Sequence, residues 1–345
     1  MKKLTALAAA VGLALSCGFT AHAADINFDA LKNRTTDTSA PVVYFTSDIS
    51  PAGLQAAFEA LGREPTGKVA FKLSTGEAGN NHYLQPALIK DLVQKYDGTI
   101  VECNTSYGGS RASTAAHRQV IEDHGFNDIA TVDIMDEDGS MEIPVTAGKF
   151  LKGDLVGKNL ANYDSMVVLT HFKGHPMGGF GGALKNISIG VASSAGKNRI
   201  HTAGNSDEPN TFMSFAGGAY MSNTSQEHMN FIDSMAEAAD AVSDYFDHGE
   251  KMMYVSVINN LSVDCDCVSN PTAPDMHDIG IVASLDPVAL DQACVDFMYA
   301  APDGKSMIER IESRSGTRIL DHAVEMGLGQ KSYQLVSLDQ EQQQQ

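Results

Sequence analysis

The sequence predicts an α/β fold, with mostly parallel sheets flanked by helices and two α/β lobes around a crevice. Three observations lead there. Strand-like runs alternate with segments of helical periodicity over most of the 345 residues. "VVLTH" (167–171) is a continuous apolar run, as a parallel strand buried on both faces requires. Three polar, glycine-bearing loops each follow a strand-like run, where the ligand crevices of open α/β sheets lie.

Taken in order, residues 1–23 read as a secretory leader. Lys2 and Lys3 supply its charged start, and Leu4 to Leu15 form an apolar run too short for a bilayer. Ala21-His22-Ala23 is a small-x-small cleavage site. A lipoprotein reading of Ala14-Leu15-Ser16-Cys17 fits less well, and no twin arginine is present. The protein is therefore expected to be exported, to the periplasm or beyond the cell. No later segment is long and apolar enough to suggest a membrane span.

"PVVYF" (41–45) and "KVAFKLS" (68–74) are strand-like, and between them Ser50-Pro51 opens a helix that Gly62 closes. "PALIKDLVQKY" (86–96) has helical spacing, "TIVEC" (99–103) is a strand, and "ASTAAHRQVIEDHG" (112–125) is a helix ended by glycine. Phe231, Met235, Ala238, Val242 and Tyr245 form a helical stripe over 225–246. "KMMYVSVINNLSV" (251–263) and "DIGIVASLD" (278–286) are strands, and Asp286-Pro287 caps the next helix. Helices near 303–314 and 320–327 precede "YQLVSL". Residues 24–338 are expected to form one unit whose lobes meet near 136–165 or 205–225, followed by a polar, disordered tail at 339–345.

Without the leader the chain carries 22 basic against 43 acidic side chains, a formal −21. That balance disfavours nucleic acid and anionic lipid as partners. A small-molecule anion or a metal cofactor in a local basic pocket remains compatible. The least generic stretch is "THFKGHPMGGFGGALKNISIGVASSAGKNRIH" (170–201). It places His171, His175 and His201 with Lys173 and Lys185 on glycine-rich backbone that includes Gly181 and Gly182. Imidazoles ligate zinc, nickel or iron, and glycine lets backbone approach a bound group. The alternative is a tight crossing that needs glycine for packing. "GVASSAGK" is not a phosphate-binding P-loop, because five residues rather than four separate its glycines and Asn198 follows.

Two other loops stand at equivalent strand ends. "STGEAGNNHYLQP" (74–86) brings Glu77 and His82, and "NTSYGGSR" (104–111) brings Ser110 and Arg111 to a helix start that suits an anion. "VDCDC" (263–267) puts Cys265 and Cys267 on alternate positions, hence on one side of an extended chain. Metal ligation, a disulfide and an inert buried turn all remain open for that pair. Cys103 and Cys294 read as core residues.

"HFKGHPMGGFGGALKNISIGVASSAGK", with "GEAGNNHYLQP", "GGSRASTAAH", "VDCDC" and "DIGIVASLDPVALDQACVD", resembles the family called domain of unknown function 362, over nearly all the chain after the leader. Its members are often described as uncharacterised iron–sulfur-centre proteins with a ferredoxin-like insert. This chain has no cysteine in 202–227, so an iron–sulfur cluster is not expected here. The segment around "GFGGALK" is also similar to lactate racemase and its relatives, sharing a histidine, a lysine ten residues on and a histidine sixteen further. That resemblance implies His175 as acid/base, Lys185 as cofactor tether or anion ligand, and His201 as a nickel ligand. The leading expectation is a transition-metal or metal-cofactor site, with proton transfer on a small hydroxy- or carboxylic acid. The rivals are a non-catalytic metal or redox carrier using Cys-Asp-Cys, and a metal-free anion-binding module.

Overall fold

The computed structural model describes residues 26–208 and 225–339. The leader, the tail beyond 339 and most of the candidate boundary at 205–225 lie outside the described residues. The first half runs β1 (Val42–Thr46), α1 (Pro51–Ala60), β2 (Val69–Lys72), α2 (Pro86–Lys95), β3 (Thr99–Glu102), α3 (Thr114–Asp123) and β4 (Val132–Ile134). A separate antiparallel pair, β5 (Ser140–Pro144) and β6 (Gly153–Gly157), precedes β7 (Ser165–His171). Then come the short pair β8 (Lys173–His175) and β9 (Gly179–Gly181), α4 (Ala183–Ser188) and α5 (Ser194–His201). The rest holds α6 (Gln226–Tyr245), β10 (Met252–Ile258), β11 (Gly280–Ser284), α7 (Pro287–Ala300), α8 (Lys305–Glu312), α9 (Arg318–Met326) and β12 (Gln334–Ser337).

Strands from both halves share one eight-stranded sheet, ordered β12-β1-β11-β10-β7-β2-β3-β4. The α/β class and the mostly parallel sheet flanked by helices are as expected. Strands from both halves of the chain join in it: β10 pairs directly with β7, in parallel register from Met252 opposite Met166 to Val257 opposite His171. Only β11 runs antiparallel to its neighbours β1 and β10.

The strand residues alternate between two apolar cores. On β7, Met166 and Val168 face one core while Val167 and Leu169 face the other; on β10, Met252 and Tyr254 face the first while Met253 and Val255 face the second. Helices α4, α6 and α7 cover the first face, and α1, α2 and α3 cover the second. This is why both strands read as unbroken apolar runs. Each fully buried Val or Leu contributes about 1.5–3 kcal/mol to the sandwich. The helix starts follow local chemistry. Ser50 Oγ accepts the Gly53 N–H at 3.2 Å, and Asp286 Oδ1 accepts the N–H groups of Val288 and Ala289 at 2.8 and 2.9 Å.

The four strands β10, β7, β2 and β3 are adjacent and parallel, so their carboxyl ends share one edge. Because β11 runs back from that same edge, the whole 259–279 connection is held there too. Four loops from distant parts of the chain are thereby brought to one place.

Candidate active site at the strand carboxyl ends

The loops enclose a cavity of about 610 Å³. Arg111, Lys173, His175, Gly181, Gly182, Lys185 and His201 line it, as do His171, Cys265 and Cys267. Glu77, His82 and Ser110 are not part of its wall. His82 stands behind it, where burial and then the nearby His171 push its imidazole pKa down.

The loop expected to bind an external anion already holds one from the protein. The Ser110 N–H donates to Glu77 Oε1 at 2.6 Å, and Arg111 Nε lies 3.5 Å from Glu77 Oε2. Arg111 Nη1 donates to Glu102 Oε1 at 2.6 Å. Burial raises the Glu102 carboxyl, but the Arg111 charge, the His117 hydrogen bond and Lys72 together hold it well below the usual range. Glu77, Ser110 and Arg111 therefore fasten two loops to each other. Arg111 also lines the cavity, with its charge paired to two buried carboxylates.

A second node forms on Asp266. His171 Nδ1 lies 2.8 Å from Asp266 Oδ1, and Lys173 Nζ lies 2.9 Å from Asp266 Oδ2. His171 Nε2 donates to the Asn259 carbonyl at 2.7 Å. Both ring nitrogens of His171 are thus engaged by acceptors of the protein itself. Lys173 is likewise committed to Asp266. Burial raises the Asp266 carboxyl, but His171 and Lys173 outweigh it and keep it ionised. The Asp266 carbonyl also accepts the Glu77 N–H at 2.8 Å, which links this node to the first.

The glycines serve packing more than ligand approach. A Cβ at Gly174 would fall 2.3 Å from the Val263 carbonyl oxygen. One at Gly182 would fall 2.4 Å from Asp291 Oδ1. Asp291 accepts the Ala183 and Leu184 N–H groups at 2.7 and 3.0 Å, so the carboxylate that Gly182 admits caps α4. Helix α4 in turn presents Lys185 to the cavity.

With Asp266 anchored on one side of the strand-like segment, Cys265 and Cys267 face the cavity together as free thiols. Each offers a sulfur, and His175 a ring nitrogen, all within 4.8 Å of one another. Among the described residues this is the one group of three such side chains. A hydrogen bond from Cys267 holds the Cys265 thiol well below its ordinary pKa against the effect of burial, helped by the Lys185 charge. The same bond, with burial, pushes the Cys267 thiol up. Cys265 is thus the more acidic thiol of the pair. His175 Nδ1 accepts the Met177 and Gly178 N–H groups at 3.2 and 2.8 Å. Its lone pair there is taken, so Nε2 carries the proton of the neutral ring. Burial, then Lys185, lowers the His175 pKa to about 4.

His201 lines the cavity outside this trio. Its Nδ1 donates to the Lys197 carbonyl at 2.6 Å. The ring stacks on Phe231 with centroids 4.7 Å apart, and burial lowers its pKa to about 3. Lys185 makes no ion pair among the described residues. Lys197 Nζ donates to the Ala192 carbonyl at 2.5 Å. Lys72, buried at the end of β2, also lines the wall. Neither Lys72 nor Lys197 is expected from the sequence reading, although a lysine inside the otherwise apolar "VAFKL" is a signal for the first. Cys103, read as core, also reaches the wall: its Sγ donates to the Val191 carbonyl at 3.3 Å, and burial raises its pKa. Cys294 is buried in α7, as expected.

The family model described as domain of unknown function (DUF362) matches residues 69–296. No curated protein matches the chain. Among solved structures, the lactate racemase apoprotein from Thermoanaerobacterium thermosaccharolyticum is similar at a TM-score of 0.43 and 12% identity, over 75% of this chain and 57% of that one. A protein from Thermotoga maritima is similar at a TM-score of 0.39 and 11% identity, over 74% of this chain and 58% of that one. The chain spans less than two thirds of the length of either.

Proposed function

For a chain that belongs to the DUF362 family, we propose a metal-related role: an exported protein that holds a soft transition-metal ion on Cys265, Cys267 and His175, beside a pocket for a small anion. The observation that carries this reading is the trio of donors within 4.8 Å, placed in a cavity beside Lys185. Two thiol ligands and an imidazole suit zinc or nickel better than a hard cation, and iron is the third candidate. The bound ion would supply Lewis acidity toward a C–O group of the small molecule. Lys185 binds the anionic end. His201 is neutral at pH 7 and can exchange a proton with a hydroxy- or carboxylic acid substrate. Metal uptake must expel the Cys267 thiol proton, so binding should release a proton and weaken as pH falls.

Cobalt(II) added to chelator-stripped protein is the direct test. One equivalent should bind and develop thiolate-to-cobalt absorption. Cys265→Ser and Cys267→Ser should each weaken binding on the order of a hundredfold or more while the fold survives. No absorption band with the unsubstituted protein would end the metal reading.

One observation favours a second reading. Because His175 Nδ1 accepts two backbone N–H groups, its Nε2–H is suited to donate to the Cys265 thiolate. Such a pair is a nucleophile or a redox-active thiol rather than a metal seat. In metal-free protein, iodoacetamide at pH 6 should then alkylate Cys265 well ahead of Cys267. Equal or absent labelling would count against the thiolate assignment.

A further inference from the structure

Lys72 takes no part in the reading above, yet its surroundings are those of a reactive amine. It is 1% exposed, at the carboxyl end of β2, and lines the cavity. Its Nζ donates to the Leu73 carbonyl at 2.7 Å and to Asn186 Oδ1 at 3.1 Å. The Asn186 amide cannot turn, because its Nδ2 donates to the Leu169 carbonyl and Thr170 Oγ1 at 3.1 and 3.0 Å. Both acceptors of Lys72 are therefore neutral oxygens in fixed positions. No carboxylate lies within ion-pair distance of Nζ among the described residues. An ammonium would need a third acceptor and a counter-ion. A neutral amine uses its two N–H groups here and keeps its lone pair. Burial pushes the Lys72 pKa down to about 8; Glu102 and Cys103 oppose that shift, and Lys197 and Arg111 reinforce it. A Cβ at position 190 would stand 2.7 Å from Nζ, so Gly190 leaves room beside the amine.

We propose that Lys72 is a nucleophilic amine that condenses with the carbonyl carbon of a small oxo acid held in this cavity. The nitrogen lone pair forms the C–N bond while the carbonyl π pair moves onto oxygen. Both amine protons then leave with that oxygen as water, and an imine remains. The step needs no oxidant and no metal, so it stands apart from the proposed metal seat. The ligand is an acid because two further lysines border the cavity with no carboxylate partner among the described residues. Lys185 makes no ion pair there, and Lys197 donates to the Ala192 carbonyl.

The experiment treats chelator-stripped protein with glyoxylate and sodium cyanoborohydride at pH 7, then maps reduced adducts by peptide mass spectrometry. At that pH Lys72 holds on the order of a hundredfold more free amine than a lysine of ordinary pKa. Its adduct should therefore form first, by a comparable factor in rate. Lys72→Met should remove that adduct; if this variant does not fold, the map of the unsubstituted protein decides alone. Glycolaldehyde, of similar size but without a carboxylate, should label Lys72 far more slowly. Adducts on surface lysines with Lys72 untouched, or adducts led by Lys185, would overturn the proposal. Equal labelling by glyoxylate and glycolaldehyde would overturn the choice of an oxo acid.

Discussion

Replacing Arg111 with methionine should destabilise the protein by about 3–5 kcal/mol, the usual cost of removing one partner from a buried ion pair. Methionine keeps much of the side-chain volume, so packing is not the cause. The cause is that Glu77 and Glu102, both buried, lose the cation they share. The loops after β2 and β3 should then separate, and the cavity should lose one wall. Thermal melting reads the first effect, and cobalt binding at the cysteines reads the second. Adding Glu102→Gln to Arg111→Met should recover part of the loss, because the stranded charge is removed with it. A single variant within about half a kcal/mol of the unsubstituted protein would show that the clamp is not what holds these loops.

The second large effect has the opposite sign. Asp154 is fully buried on β6, and its carboxyl oxygens find no well-formed hydrogen bond. Burial pushes its pKa up to about 7, although Arg199 and Lys197 pull the other way. A carboxyl raised in the folded state stabilises the fold when protonated. That contribution is fully present below the unfolded value near pH 4 and is lost as pH rises through about 7. Asp154→Asn should therefore stabilise the protein at pH 8, by up to about 4 kcal/mol for a shift of roughly three units. The gain should shrink to nothing near pH 4. Melting curves of both proteins across that range test it. A gain that does not depend on pH would point to packing instead. Asp291, raised to about 7 by burial, should keep part of the acid stabilisation in the variant.

The parallel core is legible in the sequence because β7 and β10 are apolar on both faces, and only a sheet covered on both sides demands that. The meeting of the loops is legible for a related reason: strands that run the same way must end on the same edge. What each loop residue does there is not legible. Arg111 and Lys173 look like anion ligands in isolation, and only the fold shows Glu102 and Asp266 already in front of them. His171 looks like His201 in sequence, but one ring lies between Asp266 and the Asn259 carbonyl while the other donates to the Lys197 carbonyl and stacks on Phe231. Lys72 is missed because a strand-embedded lysine reads as an interruption of an apolar run, not as a member of a site. That β10 pairs with β7 is not legible, because the pairing spans the intervening helices and no local pattern encodes partners so far apart.

One edge of the sheet couples the two ends of the chain. β1 lies between β11 and β12, in register from Val42 opposite Gln334 to Phe45 opposite Ser337, and Arg34 bridges to Tyr333. The first strand to be synthesised thus has both of its partners near the last residues to be made. Contacts of such long sequence separation are slow to form. During synthesis, β1 must wait with both edges unpaired until β11 is made, and with one edge unpaired until β12 follows. The delay leaves "VVYF" exposed to wrong partners for as long as it lasts.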